Sequence, residues 1–389
     1  MKALDDLCII DLTRYLPGSF TSMFLADFGA EVIMIESPTR GEPGRSNPPF
    51  INGVSARHLL LQRNKKSLTL DLNTSEGKEI FFKLIESADV VIENFKPGYL
   101  SKIGLDYDAA VEVNPRIIYC SLTGFGQYGP NRDIAGHDIN YIGLAGILGL
   151  SGSAQNAPCL PGIQIADLCG SLMAQIGILV ALMSRNKTGR GQYIDISFLD
   201  SAISLLPLIA AAYFAENKSY KQGEHIYTGS MAWYNIYLTK DHKYLTIGAL
   251  ETKFWHKLCE YLDVPEFKDM QFEQEQQPKM IAKLQEIFMT KTQQEWIQLL
   301  APLNVCVGPV LEVSEVFNDP NTIEREMVFT ANHPVAGEVK QIGFPIKMSY
   351  TPAAYQRGAP LLGEDNRNIL ISLGYSLDDI EELRKKNII

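Results

Sequence analysis

Positive charge is in short supply in this chain. Its 389 residues carry 35 Lys and Arg against 45 Asp and Glu, a formal net charge of −10. A nucleic-acid-binding protein needs a basic face to neutralise phosphates, so that class is set aside, and an anionic ligand must be held by a local basic cluster. The six cysteines (Cys8, Cys120, Cys159, Cys169, Cys259, Cys306) are scattered with no C-x-x-C pair. Free thiols are expected rather than a zinc site or a disulfide frame. Uninterrupted apolar runs fall short of the roughly 20 residues that span a bilayer. At the N-terminus, Asp5 and Asp6 precede only a short apolar stretch, unlike a secretory signal. A cytoplasmic protein with no membrane or nucleic-acid partner is the expectation. No Walker sequence is present, which argues against a nucleotide undergoing phosphoryl transfer.

What is present is an ordinary globular composition, 46% hydrophobic and 21% charged. Strand-like runs at 7–11, 31–36, 67–72, 89–95 and 116–124 alternate with helical stretches at 17–29, 76–87 and near 107–114. That alternation predicts a parallel sheet with helices on its faces, a Rossmann-like α/β domain. A long apolar helix over 167–186, with Asp167 at its N-cap, a strand over 193–198 and a helix over 201–217 follow. Strands at 232–239 and 243–250 and amphipathic helices at 252–262, 278–290 and 292–301 predict a smaller α+β domain. The expected division is 1–217 for the large domain and 218–325 for the small one, with 326–389 returning to the large one.

Three features are candidates for chemistry. "GFGQYG" (124–129) fits G-x-G-x-x-G after a strand, but "PNRDIAG" follows instead of a helix that would hold a pyrophosphate, so it reads as a glycine-rich loop. A basic cluster, Arg40, Arg45, Arg57, Arg63, Lys65 and Lys66, reads either as a solvated loop or as a cradle for a phosphorylated ligand. The third is "IAGHDINYIGLAG" (134–146), where His137 and Asp138 open a charge-free run, with Asp167 thirty residues beyond His137. Each alone fits a structural role. Together on opposite walls of one cleft, His137 and Asp167 would form a two-base site that removes a proton from carbon on one face and returns it on the other. The helix start at Asp167 would then offer N–H donors to a developing oxyanion.

"GHDINY" (136–141), the Ala166-Asp167 step, "TGRGQYIDIS" (188–197) and "GALETKFW" (248–255) resemble α-methylacyl-CoA racemases of the family III CoA-transferase (CaiB/BaiF) superfamily. "LADFGAEVIMIESP" (25–38), "RNKKSLTLDLN" (63–73), "IENFKPGYLSKIGL" (92–105), "GPVLEVSEVFNDP" (308–320) and "PLLGEDNRNIL" (360–370) extend the resemblance over essentially the whole chain. It implies His137 and Asp167 as the proton-transfer residues and Glu251 as support for the histidine. Transferases of the superfamily use the Asp at the place of Asp167 as a nucleophile, generally lack the GHDINY histidine, and often carry a glycine-rich loop. On those marks this chain sides with the racemases; a CoA-transferase moving CoA between carboxylic acids, or a non-catalytic acyl-CoA-binding homologue, is the alternative. By the same resemblance, Leu70, Asp71, Leu72 and Asn73, with Gly136, Asp138, Ile139, Asn140 and Tyr141, line the CoA and thioester site. Where racemases often carry Arg, this chain has Ser37, so Arg40 or Arg45 is expected on the CoA phosphates, with Lys96 and Arg63 as further contacts. Coenzyme A enters as part of the substrate, no metal or redox cofactor is required, and an interlocked homodimer is expected.

Overall fold

The alternation of apolar runs with helices becomes a six-stranded sheet in the computed structural model, which describes residues 2–153 and 156–389. Its strands are β1 (Cys8–Asp11), β2 (Glu31–Glu36), β3 (Lys65–Thr69), β4 (Val90–Glu93), β5 (Ile118–Thr123) and β6 (Tyr193–Ser197). They lie in the order β3-β2-β1-β4-β5-β6, all parallel. Ile10 pairs with Ile33 on one side and Val91 on the other, and all three are buried. Such runs carry no polar alternation because helices cover both faces of a parallel sheet. The covering helices include α1 (Tyr15–Asp27) and α2 (Ser75–Ser87), the latter capped by Thr74, whose hydroxyl accepts from Gly77 N–H. The strand order reverses between β1 and β4. In open α/β sheets that reversal leaves a crevice outside the carboxyl ends of the strands, where ligands bind.

Strand β3 is an edge, and an exposed edge invites unwanted pairing. Here the C-terminal segment covers it: Ser67 N–H donates to Asp365 Oδ2 and Thr69 N–H to Asn366 Oδ1, both at 2.9 Å. Just past the strand, Asp71 N–H donates to the carbonyl of Ile388 at 2.8 Å. Ile369, Leu370, Ile380, Leu383 and Ile389 join the same core as Ile10 and Phe81.

The chain divides into two units. The first holds residues 1–145, 163–205 and 320–389, and the second holds 146–162 and 206–319. The boundary thus falls near 205 rather than 217, and the expected helix over 201–217 is two helices, Phe198–Ile203 and Pro207–Glu216. Pro207 has no N–H and fits only a first helical turn, so it starts a new helix instead of continuing the old one. The second unit contains an antiparallel sheet of Tyr234–Leu238, Tyr244–Gly248 and Val307–Pro309. All three tryptophans lie in its core, and each indole N–H donates to a backbone carbonyl: Trp233 to Gln271, Trp255 to Phe267 and Trp296 to Phe288.

Two further helices matter for the site, α3 (Asp138–Leu144) and α4 (Ile165–Thr188). By length and composition, α4 is apolar enough to cross a bilayer, which the reading of uninterrupted runs missed. Half of its most apolar window is buried, with Ala174, Ile178, Ala181 and Leu182 on the covered side.

At the end of β4, Glu93 is 5% exposed and accepts the N–H of Phe95 at 2.8 Å. Burial pushes its carboxyl up to about 7. The folded chain therefore keeps a proton that the unfolded chain releases above its ordinary value near 4.5. Stability falls as pH rises from there to about 7, and the loss is complete above that. Glu93→Gln is expected to flatten this slope and to raise the urea midpoint at pH 8 but not at pH 4.5.

Candidate active site

The loops leaving β1, β4 and β5 converge at the strand-order reversal. They bring Arg14 and Tyr15, then Asn94, Phe95 and Lys96, then Leu122, Thr123 and Gly124 to one cleft of about 680 Å³. Arg14 is fixed by its main chain and its side chain together. Its N–H donates to Asn94 Oδ1 at 2.8 Å, and its Nη1 donates to the carbonyls of Leu12 and Thr13 at 3.0 Å. Tyr15 takes a left-handed backbone at φ 62°, a strained conformation for a non-glycine residue. The Glu42 carboxylate holds it there by accepting its N–H at 2.9 Å. Sequence reasoning missed Arg14, Tyr15, Asn94 and Phe95. Their one signal was position, immediately after the two strands that flank the reversal.

His137 and Asp167 line this same cleft, from the starts of α3 and α4. His137 occupies the N-cap position of α3, and its own N–H donates to Asn140 Oδ1 at 3.0 Å. Gly136 and Gly124 admit the Tyr141 ring between them: a Cβ on Gly136 would lie 2.8 Å from that ring, and one on Gly124 would overlap it. The Tyr141 hydroxyl donates to the Gly136 carbonyl at 2.6 Å, which ties the loop before His137 to α3.

The expected N-cap at Asp167 is corrected. Helix α4 starts at Ile165 with Gln164 at the N-cap, and Asp167 sits in the first turn. The cap comes from another helix: Asp138 Oδ1 accepts the N–H groups of Ala166 at 2.6 Å and Asp167 at 3.1 Å. Asp138 therefore caps α4 from its place at the start of α3. Two consequences follow. The residue beside His137 anchors the backbone of Asp167, and two of the α4 donors expected to face an oxyanion, those of Ala166 and Asp167, are already satisfied. Burial, then the Asp138 charge, raise the Asp167 carboxyl to about 6, while His137 opposes the shift.

The basic cluster separates into paired and unpaired members. Arg45 forms a fork on Glu36, with both contacts at 2.6 Å, and Arg63 forks onto Asp27 at 3.0 and 2.7 Å. Lys65 is fully buried against Asp11, Ser22 and Gln62, and Lys66 pairs with Glu31. The expected phosphate contacts from Arg45 and Arg63 are thus corrected, because buried carboxylates already occupy both guanidinium forks. Arg40 is exposed, in a second cleft of about 410 Å³ with Ser37, Thr39 and Leu70, Asp71, Leu72 and Asn73. That cleft shares Arg14 and Phe95 with the His137 cleft, and Lys96 lines the latter. Ile139 points away to solvent, 47% exposed, and is not among the cleft residues. Glu251 belongs to the second unit, where it is exposed at the N-cap of the helix Thr252–Tyr261 without capping it.

Comparison with known proteins fits this geometry. The profile of CoA-transferase family III matches residues 4–366. Succinyl-CoA:glutarate CoA-transferase of Mus musculus is 33% identical over all of this chain and 91% of its own length. Alpha-methylacyl-CoA racemase of Homo sapiens is 32% identical over all of this chain and 97% of its own length. A crystal structure of a CAIB/BAIF family protein from Brucella suis superposes with a TM-score of 0.84 at 34% identity, covering 96% of this chain and 99% of that one. With a parallel sheet whose order reverses at the His137 and Asp167 cleft, and a family profile matched almost end to end, the chain belongs to CoA-transferase family III.

Proposed function

We propose that this protein is an acyl-CoA racemase of the α-methylacyl type, which inverts the α-carbon of a 2-methylacyl-CoA thioester. The observation that carries this reading is the presence of His137 and Asp167 in one cleft, joined through Asp138. One of the two removes the α-proton and the other delivers a proton to the opposite face of the enolate. The roles exchange with the direction of reaction. Asp138 already accepts the N–H groups of Ala166 and Asp167, so these two donors are not available to the enolate oxygen. The nucleotide end of coenzyme A is assigned to the cleft of Arg40 and residues 70–73.

The test is incubation with one enantiomer of a 2-methylacyl-CoA in D₂O without any acceptor acid. Deuterium appears at the α-carbon as the enantiomers equilibrate. The second reading, CoA transfer through an Asp167 anhydride and thioester, is favoured by the likeness to succinyl-CoA:glutarate CoA-transferase. It requires an acceptor acid and leaves an enzyme thioester that hydroxylamine cleaves; that result without α-exchange replaces the racemase reading.

A working pair carries one proton between two groups. Below its value of about 6 the Asp167 carboxyl is itself protonated and cannot serve as the base, so kcat/KM is expected to have an acidic limb near pH 6. Asp138→Asn keeps an oxygen for the cap but removes the charge that raises Asp167. The limb is expected to move to lower pH; an unmoved limb would assign it to another group.

The dimer is likewise a proposal. Leu172, Ile176, Val180 and Met183 form a stripe along α4 that is 46–64% exposed, an apolar face suited to a second copy. Sedimentation at micromolar concentration is expected to give twice the chain mass, and a monomer would dismiss the proposal.

A further inference from the structure

Three consecutive residues at the turn from β1 into α1 each give their backbone N–H to a side chain. Thr13 donates to Asp11 Oδ1 at 2.9 Å, Arg14 to Asn94 Oδ1 at 2.8 Å and Tyr15 to Glu42 Oε1 at 2.9 Å. Asn94 adds a second bond, from Nδ2 to the Arg14 carbonyl at 2.7 Å. Gly18 packs so closely on Thr13 that a Cβ there would overlap its side chain. Glu42 is in turn fixed: it is 1% exposed, its other oxygen accepts the Gly44 N–H at 2.7 Å, and its own N–H donates to Glu36 at 2.8 Å. A left-handed backbone at a tyrosine, held from this many sides, points to a task for the side chain it presents.

That side chain is uncommitted. Tyr15 is 57% exposed, and its hydroxyl makes no hydrogen bond among the described residues. It lines the cleft that holds His137 and Asp167. Of the residues bordering that cleft, Tyr15 and Asp167 also border a neighbouring cavity of about 430 Å³, so both stand on the wall between the two. Chemistry on a thioester at Asp167 needs a donor for the thioester oxygen. Loss of the α-proton places charge on that oxygen, and so does attack of a carboxylate on the carbonyl carbon. Several donors near it are engaged elsewhere. Asp138 takes the N–H groups of Ala166 and Asp167, Arg14 Nη1 donates to the carbonyls of Leu12 and Thr13, and the Tyr141 hydroxyl donates to Gly136. Lys96, Arg132 and Asn140 border the cleft too, but none of them shares the second cavity with Asp167.

We propose that the Tyr15 hydroxyl donates to the thioester oxygen of the bound acyl-CoA and stabilises the charge that develops there, with Glu42 as the residue that positions it. The phenol keeps its own proton throughout. The proposal rests on the assignment of this cleft to acyl-CoA, and it holds whether racemisation or transfer follows.

Tyr15→Phe removes the hydroxyl and keeps the ring. It is expected to lower kcat for α-deuterium exchange, or for transfer, by about 10²–10³-fold, the range for one oxyanion donor, with KM little changed. A second readout needs no turnover. A hydrogen bond weakens the C=O bond and lowers its stretching frequency. Infrared difference spectra of a 2-methylacyl-CoA carrying a ¹³C label in the thioester carbonyl are therefore expected to show a lower frequency on the wild-type chain than on Tyr15→Phe. Glu42→Gln keeps the hydroxyl but gives up one of the two carboxylate acceptors. It is expected to slow the wild-type chain and to add little in the Tyr15→Phe background, because a positioning residue acts only through the group it positions. Independent, multiplying losses would make Glu42 merely structural. An equal kcat in an active pair, or an equal carbonyl frequency in a bound one, would overturn the role of Tyr15. A wild-type chain that neither exchanges nor transfers counts against the reading of the reaction, while the carbonyl frequency still decides the role of Tyr15. A labelled thioester that fails to bind would dismiss both.

Discussion

His137→Ala is expected to lower α-deuterium incorporation from 2-methylacyl-CoA by about 10²–10⁴-fold, the range attributed to a positioned acid or base. Asp167→Asn should do the same, and the double variant should cost far less than the product of the two, because the two groups act as a unit in one proton transfer. Binding of the thioester should change much less than turnover, since the nucleotide end is assigned to Arg40 and residues 70–73, outside this pair. One asymmetry sharpens the test. His137→Ala removes one face of the proton transfer, so a substrate enantiomer whose α-proton faces Asp167 can still lose it and regain deuterium on that same face. Slow exchange with retained configuration is therefore expected in His137→Ala, and full-rate inversion there would defeat the two-base mechanism.

Arg63→Ala carries the largest expected loss of stability. The guanidinium is 3% exposed, and it joins Asp27 through its fork to the Gln341 side chain and the Ile342 carbonyl, with the Phe344 ring against its plane. Its removal strands the Asp27 carboxylate, which burial already raises and which Arg63 holds down. Breaking one side of such a pair costs about 3–5 kcal/mol. The sign with pH follows from the same carboxylate. The loss should be greatest at neutral pH and should shrink on acidification, where Asp27 takes up a proton and no longer needs a cation. Urea unfolding at two pH values checks this, and a loss below about 1 kcal/mol at pH 7 would mean that water replaces the guanidinium. Arg63→Met with Asp27→Leu should recover part of the difference, because a well-packed apolar pair can substitute for a buried ionic one.

Strand and helix order in the first unit was legible because a period-free apolar run and an amphipathic helix look different even in isolation. Strands β1, β2, β4 and β5 lie within one or two residues of where the patterning puts them, whereas β3 begins earlier because Lys65, buried by its pairing with Asp11, reads as polar in the sequence. The helix over 201–217 failed at a single residue, Pro207. The basic cluster misled for a similar reason. An arginine in a fork with a buried carboxylate and one waiting for a ligand have the same letter, and only the carboxylates contributed by distant segments tell them apart.

What the sequence by itself determined is the set of chemical groups and the family they belong to. Histidine, aspartate and the motif around them are local, and local patterns survive translation into letters. The tertiary structure alone decided which groups meet. It put Asp138 on the start of α4 rather than on its own helix, because its carboxylate reaches unsatisfied N–H groups 28 and 29 residues away. It withdrew Arg45 and Arg63 into ion pairs and left Arg40 and Arg57 without an ion pair among the described residues. It also made the loops after β1 and β4 the walls of the cleft, because strand order in a parallel sheet is a property of crossovers and not of any one strand.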